Sequence, residues 1–420
     1  MKLYLLFLIL INTLFSCTED LIHLKVDTGA YDRLDCPVFL DYSILNQKES
    51  IENLQLVEII NSDFINTPSQ INKQTKKLWF VLNGFTPKET SRKFALVSKS
   101  KQDNNTPIKI LKKDGGLLLT SNGNPILNYQ FEIKNPPEGV DEKYKKSGFI
   151  HPVYSPEGEV LTRIQPPDHY HHYGIWGPWT KTHIEGRFVD FWNIGDGLGT
   201  VLFKDFLNET QGDVYSSFTA LQEHIDFGAE EKNRIALNEE LEIKAWNIST
   251  KKKSWLIDYT TKIKSPLDLG ILFDAYRYGG GIGFRATEKW HKDNASVLTS
   301  EGKDRLSADG TSAKWAIIEG ESETKEGRSG ILFMGYPDNK EFPEPMRVWP
   351  INSNGGRGDM FFEFCPIRHI EWKIESKKEY SLNYRMLIFD GEMTAEQAEI
   401  HWQGFANPPK ATIISKQLNK

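Results

Sequence analysis

Trp255-Leu256-Ile257-Asp258-Tyr259-Thr260-Thr261-Lys262-Ile263 decides the fold class. Its odd positions are apolar or β-branched, and Asp258, Thr260 and Lys262 fall on the even ones. A period of two puts alternate side chains on opposite faces, as in a strand with one wet face. Similar runs recur at 239–246, 269–276, 314–319, 331–336, 360–364 and 380–389. Upstream, 116–120 and 126–133 flank Ser121-Asn122-Gly123-Asn124-Pro125, a hairpin signal of the Asn-Gly type. One helix is expected near the C-terminus, with Thr394 as N-cap, Gln397 at the capping-box position and Gly404 ending the run.

Strands with few helices over this length predict an all-β protein dominated by a large antiparallel β-sandwich over 106–410. A polar, Pro-ended stretch at 98–107 separates it from 18–105. That segment shows short alternating runs at 54–60 and 78–82, with turns expected at Asn83-Gly84 and at 86–88, and reads as a small N-terminal β domain. By analogy, the larger unit is of the galactose-mutarotase-like supersandwich kind.

Residues 1–17 read as a lipoprotein signal peptide. Lys2 precedes an apolar run too short to span a bilayer well, and Leu14-Phe15-Ser16-Cys17 matches a bacterial lipobox. The expectation is an exported protein, lipid-anchored to a bacterial membrane through Cys17. A net charge of −6 and no basic stripe argue against a nucleic-acid partner. Cys36 and Cys365 read as buried free thiols.

The chemistry collects at 151–192, which holds five of the ten histidines, too many for chance scatter. Asp168-His169-Tyr170-His171-His172 is its centre, with His151 and His183 nearby and Trp176 and Trp192 close by. Imidazoles titrate near neutrality, and indole faces suit flat ligands such as sugars. His169, His171 and His172 are candidate acids or bases, with Asp168 or Asp190 to orient one of them. His151, Trp176 and Trp192 are candidate substrate contacts. Tyr278-Gly279-Gly280-Gly281-Ile282-Gly283-Phe284-Arg285 lacks the βαβ setting of a nucleotide loop and reads as a close backbone approach that aims Arg285 into a cleft. Arg357 and Glu363 complete the candidate set; the plain alternative for Glu363 is a solvated carboxylate on a wet face.

These motifs resemble the PmoA-like family, known by the label methane oxygenase. The residues that carry the resemblance are 151–156, 168–176, 190–193 and 281–285. It departs at Tyr170, where members have Pro, at Tyr173, where they have Arg, and at 341–346, where they have a His-Pro-rich segment. A membrane oxygenase subunit needs several transmembrane helices, which this sequence does not offer. The resemblance therefore implies export and a role in polysaccharide breakdown. The function expected is a carbohydrate-active hydrolase or lyase without a cofactor. A non-catalytic sugar-binding lipoprotein is the first alternative. The second is a metal site: on a strand, His169 and His171 share a face while His172 points away, so His151 or His183 would supply a third ligand.

Overall fold

The computed structural model describes residues 21–45, 50–99, 106–230, 233–248 and 254–417. Cys17, the apolar run before it and most of the polar stretch at 98–107 lie outside those residues. Within them every paired strand of the five sheets runs antiparallel to its neighbours, and there is one α-helix, Ala395–Ala406. No described helix is long and apolar enough to cross a membrane.

Two eight-stranded sheets dominate. The first has Ser254–Lys264 near its middle, between Arg234–Trp246 and Glu379–Asp390. In register, Ile257 faces Ala245 and Met386, and Tyr259 faces Ile243 and Tyr384. All of these enter the main core, as the alternation of the run requires. Burying each large apolar side chain there contributes about 1.5–3 kcal/mol. The opposite face is only partly wet. Lys262 and Lys264 are exposed, whereas Leu256 and Leu387 join Trp402 and Ala398 of the helix in a second apolar cluster.

The helix starts with Thr394 and Gln397 in a reciprocal capping box. It does not end at Gly404, as the sequence suggests, but runs on to Ala406. Gly404 is there for proximity: a Cβ on it would lie 3.1 Å from the Cys36 sulfur of the strand Arg33–Asp41. Cys36 and Cys365 are buried free thiols.

The small sheets hold a second correction. Asn83-Gly84 is not a turn; Lys77–Thr86 runs straight through it. Its partner strand bulges between Leu34 and Cys36, and the Gly84 amide donates to Asp35 Oδ1 at 2.8 Å. A bulge and a turn demand the same residue types, so local sequence cannot separate them. The C-terminal strand Lys410–Gln417 returns to pair with Leu21–Asp27, giving the five-stranded sheet its edge.

The second large sheet runs from Met346–Val348 through Phe361–Phe364, Ile282–Arg285, Ile175–Trp176 and Phe149–Val153 to Asn124–Gln130, Gly116–Ser121 and Ile108–Lys113. Asn122 and Gly123, both with positive φ, make the two-residue turn between Gly116–Ser121 and Asn124–Gln130. One face of this sheet packs on the main core through Ile175, Ile282, Phe284, Phe362 and Phe364. The other carries a separate aromatic cluster of Phe149, Tyr173, Trp176, Trp192, Trp349 and Phe361.

Behind that region Glu344 is fully buried. Asn339 Nδ2 donates to it at 2.7 Å and the Tyr384 hydroxyl at 2.8 Å. Burial, against those two hydrogen bonds, pushes its carboxyl up to about 8. The folded state then keeps a proton that the unfolded chain releases near 4.5, so stability falls as pH rises from about 4.5 to about 8 and levels off above. Glu344→Gln keeps the oxygen that accepts from Asn339, and its amide nitrogen donates to a Tyr384 hydroxyl that turns to accept. It is expected to gain stability over wild type across that window, with the full gain above pH 8. Urea melts at pH 5 and pH 8.5 measure this; equal differences at both pH values would refute it.

Candidate functional site

The histidine cluster stands on the outer aromatic face of the second sheet. Residues 164–173 form a loop closed by an isolated bridge between Ile164 and Tyr173. Inside it two tight turns follow each other: the His169 amide donates to Pro166 O at 2.8 Å, and the His172 amide to His169 O at 3.0 Å. Pro167 and Asp168 suit such turns, and this overturns the strand expected for His169 and His171. The consequence is convergence. Ring centroids lie 4.7 Å apart for His169 and His172, 4.8 Å for His171 and His172, and 5.3 Å for His169 and His171.

His172 is the buried centre of the group. It stacks on Trp192 at 5.6 Å and meets Trp176, Trp349 and Phe361 at 5.6, 5.5 and 5.2 Å. Burial in that apolar nest pushes its imidazole well below the ordinary range, and burial with neighbouring His169 brings His171 down to about 4. Both are neutral at pH 7. His169 has a third of its side chain exposed (33%), while its Nδ1 lies 2.8 Å from Asp168 Oδ2.

Asp168 is the hinge of the electrostatics. The same Oδ2 accepts from Arg285 Nη2 at 2.8 Å. Burial alone would raise this carboxyl, but the His169 hydrogen bond and the Arg285 charge outweigh it and hold it well below the usual carboxylate range. An ionised carboxylate only accepts hydrogen bonds, so Nδ1 of His169 carries a hydrogen and Nε2 is the ring atom placed to take up or give a proton. Arg285 is fully buried, with its guanidinium 4.7 Å from the Trp349 ring centre, and it also reaches Asp359 Oδ2 at 3.4 Å. Arg357 and Asn354 bind the same Asp359.

The three glycines before that strand make its entry possible. Gly279, Gly280 and Gly281 all have positive φ, and a Cβ on Gly280 would fall into the Trp179 ring. The Gly279 amide donates to Glu363 Oε1 at 2.5 Å. Glu363 is therefore not the solvated carboxylate that its position suggests. It shares the site face of its strand with Phe361 but is fully buried, and burial drives its carboxyl well above the usual range.

Three other candidates are structural in their contacts. Asp190 accepts from Thr180 Oγ1, Asn193 Nδ2 and the amides of Trp192 and Asn193, all at 2.7–2.8 Å. With both oxygens occupied it shapes the turn that presents Trp192 and has no oxygen left to orient an imidazole, so the expected acid or base role is corrected. His151 is half-buried, its Nδ1 lies 2.8 Å from Thr162 Oγ1, and desolvation brings it down to about 4. His183 pairs with Asp274 at 2.9 Å. Among the described residues no three His, Cys, Asp or Glu side chains are grouped to hold a metal ion.

Sequence reasoning passed over Trp349 and Tyr278. Trp349 touches His169 and His172, and its Nε1 donates to the Tyr278 hydroxyl at 3.1 Å. Nothing near Trp349 in sequence resembles the histidine motif. Only the pairing of Met346–Val348 with Phe361–Phe364 brings it there.

Residues 117–403 match a family described as a family of unknown function, DUF6807. The chain belongs to that family. The expected PmoA-like membership is corrected by this match: DUF6807 is the family found, and nothing in the match supports the PmoA-like label. No curated protein matches the sequence. Among solved structures, this DUF6807 chain is similar to heparan sulfate lyase HepC from Pedobacter heparinus, at 9% identity and a TM-score of 0.35, covering 71% of this chain and 38% of that one. A galactose mutarotase related enzyme from Lactobacillus acidophilus gives 9%, 0.30, 68% and 100%. An alpha-galactosidase from Lactobacillus brevis gives 9%, 0.30, 70% and 41%. The chain thus spans well under half the length of the lyase and of the galactosidase. TM-scores of this size carry no weight for function, and the fold class rests on the strands themselves.

Proposed function

We propose that this DUF6807 protein is a carbohydrate-active enzyme of the lyase type, in which His169 is the general base. The observation that carries this is the Arg285–Asp168–His169 relay, with two 2.8 Å contacts to one carboxylate oxygen. A base held by a third group, which is itself anchored, is the arrangement that activates proton transfer. The half-buried Tyr170, His171 and Tyr278 around it offer aromatic edges over a Trp floor, suited to a sugar ring.

Hydrolysis fits less well. It calls for two carboxyl groups, one of them a proton donor. Asp168 and Asp359 are both bound by guanidinium groups, and Asp168 is held ionised. Glu363 keeps its proton but has no exposed surface. A sugar-binding protein without turnover uses the same aromatic residues and is the second reading. Export and lipid anchoring at Cys17 belong to the proposal on the lipobox alone.

The test is a panel of plant, algal and bacterial glycans given to the purified protein, with products resolved by mass. Chain cleavage of at least one glycan without uptake of water is expected. Tight binding with no product supports the binding protein instead, and no product on any glycan sinks the enzyme.

A further inference from the structure

We infer that the sugar taken by this site is anionic, its carboxylate or sulfate held by Arg163 and Arg357 at the rim beside His169. The inference deepens the lyase reading, yet it stands on the charges around the site.

Arg163, Arg285, Arg305 and Arg357 form one connected group with Asp168, Glu288 and Asp359. Arg163 pairs with Glu288 at 3.6 Å, and its amide donates to Arg285 O at 3.1 Å. Arg357 binds Asp359 and the Glu288 carbonyl. Arg305 Nη2 donates to Asp359 O at 2.8 Å, and its Nε to Trp349 O at 3.3 Å. Four guanidinium groups thus stand against three carboxylates, with His171 and His172 uncharged between them. That group carries one more positive than negative charge in a chain whose net charge is −6.

The surplus is visible atom by atom. Arg285 Nε and Nη1 and Arg305 Nη1 are buried without a hydrogen-bond partner among the described residues. Buried donors of this kind favour an anion nearby, because low-dielectric walls strengthen its attraction. At the surface the side chains of Arg357 and Arg163 keep 44% and 20% of their exposure, so they can reach a ligand that the buried arginines only attract. The rim acid between them, Glu288, is 71% exposed and free to swing into water.

The chemistry asks for the same group. An imidazole takes a proton from a sugar carbon when a carboxyl group beside that carbon, ionised or esterified, stabilises the charge that develops, and an ionised one needs cations around it to offset the added negative charge. Nε2 of His169 takes that proton, and the C–H electron pair becomes a C=C bond. The glycosidic C–O bond breaks, and its oxygen recovers the proton from the imidazolium and leaves as a hydroxyl. No water or oxidant is consumed. The arginines are placed to hold the carboxylate through this change.

The experiment measures binding apart from turnover. The His169→Ala protein is titrated calorimetrically with uronic-acid oligosaccharides (galacturonate, glucuronate, mannuronate), their neutral methyl esters, and sulfated galactan oligosaccharides. At least one acid is expected to bind tenfold or more tightly than its ester. Arg163→Gln with Arg357→Gln should remove that difference while the circular-dichroism spectrum at the titration temperature stays that of the folded protein. If only the sulfated oligosaccharide binds, with the same dependence on the two arginines, the anion is a sulfate: the anionic ligand stands and the elimination, which needs a carboxyl group, falls. Equal binding of acid and ester, or no binding of any anionic probe, overturns it. Arginine-dependent binding without turnover by the intact enzyme would sink the lyase and keep the anionic ligand. Turnover of a neutral glycan that His169→Ala abolishes would do the reverse.

Discussion

Replacing His169 by alanine is expected to lower turnover by roughly 10²–10⁴-fold, the usual worth of a positioned general base, with affinity for the glycan kept. The argument starts at Asp168. Its carboxylate fixes the hydrogen on Nδ1 and leaves Nε2 as the basic atom. Asp168→Asn replaces an acceptor-only group by an amide that also donates, so the ring loses its fixed tautomer. A fall in kcat of similar size is expected, with KM little changed. The double variant should be barely worse than either single one, because the two residues act as one unit. His171→Ala removes a neutral ring that packs against Trp192 at 5.6 Å and His169 at 5.3 Å but is hydrogen-bonded to neither Asp168 nor Arg285, so its loss is expected to be smaller. Initial rates on the glycan identified by the panel decide the matter. If His169→Ala keeps its rate within threefold, the base lies elsewhere and the relay is structural.

Much of this site could be read before any coordinates. The density of His and Trp at 151–192 marked it, and His169, His171, His172, Asp168, Arg285, Trp176 and Trp192 do come together. Composition suffices there because polar, titratable groups are costly to bury unless they meet one another. What composition cannot supply is the direction of side chains. His169, His171 and His172 converge because two turns follow Pro166 and Pro167, whereas strand periodicity would have split them. Asp190 looks like a catalytic acid in sequence and proves to be saturated by four donors from its own neighbourhood. Trp349 was invisible because its place depends on strand pairing across the 172 residues of chain between it and Trp176. The sheets followed the same rule. Alternation located the strands of the first large sheet, but the cover on its far face comes from the helix and could not be read from the strand alone.

The largest loss of stability is expected from Arg285→Met. The guanidinium is fully buried between Asp168 and Asp359, whose side chains are 15% and 3% exposed. Removing one partner of a buried charge group strands the others, which typically costs about 3–5 kcal/mol. Asp359 keeps Arg357 and Asn354, and Asp168 keeps His169, so the lower end, about 3 kcal/mol, is the expected value. Adding Asp168→Asn and Asp359→Asn removes the stranded charges and should restore part of the loss, which a simple packing defect at position 285 would not allow. The acid side gives an independent reading. Asp168 is ionised more readily in the folded state than its ordinary value near 3.8, so its contribution is present above that pH and fades as pH falls below it. Arg285→Met weakens that linkage, and the gap between variant and wild type should narrow from pH 7 to pH 3. Urea unfolding at the two pH values measures both effects. A loss under 1 kcal/mol at pH 7, or a gap that does not change with acid, would mean that Arg285 does not hold the carboxylates and that the relay lacks its anchor.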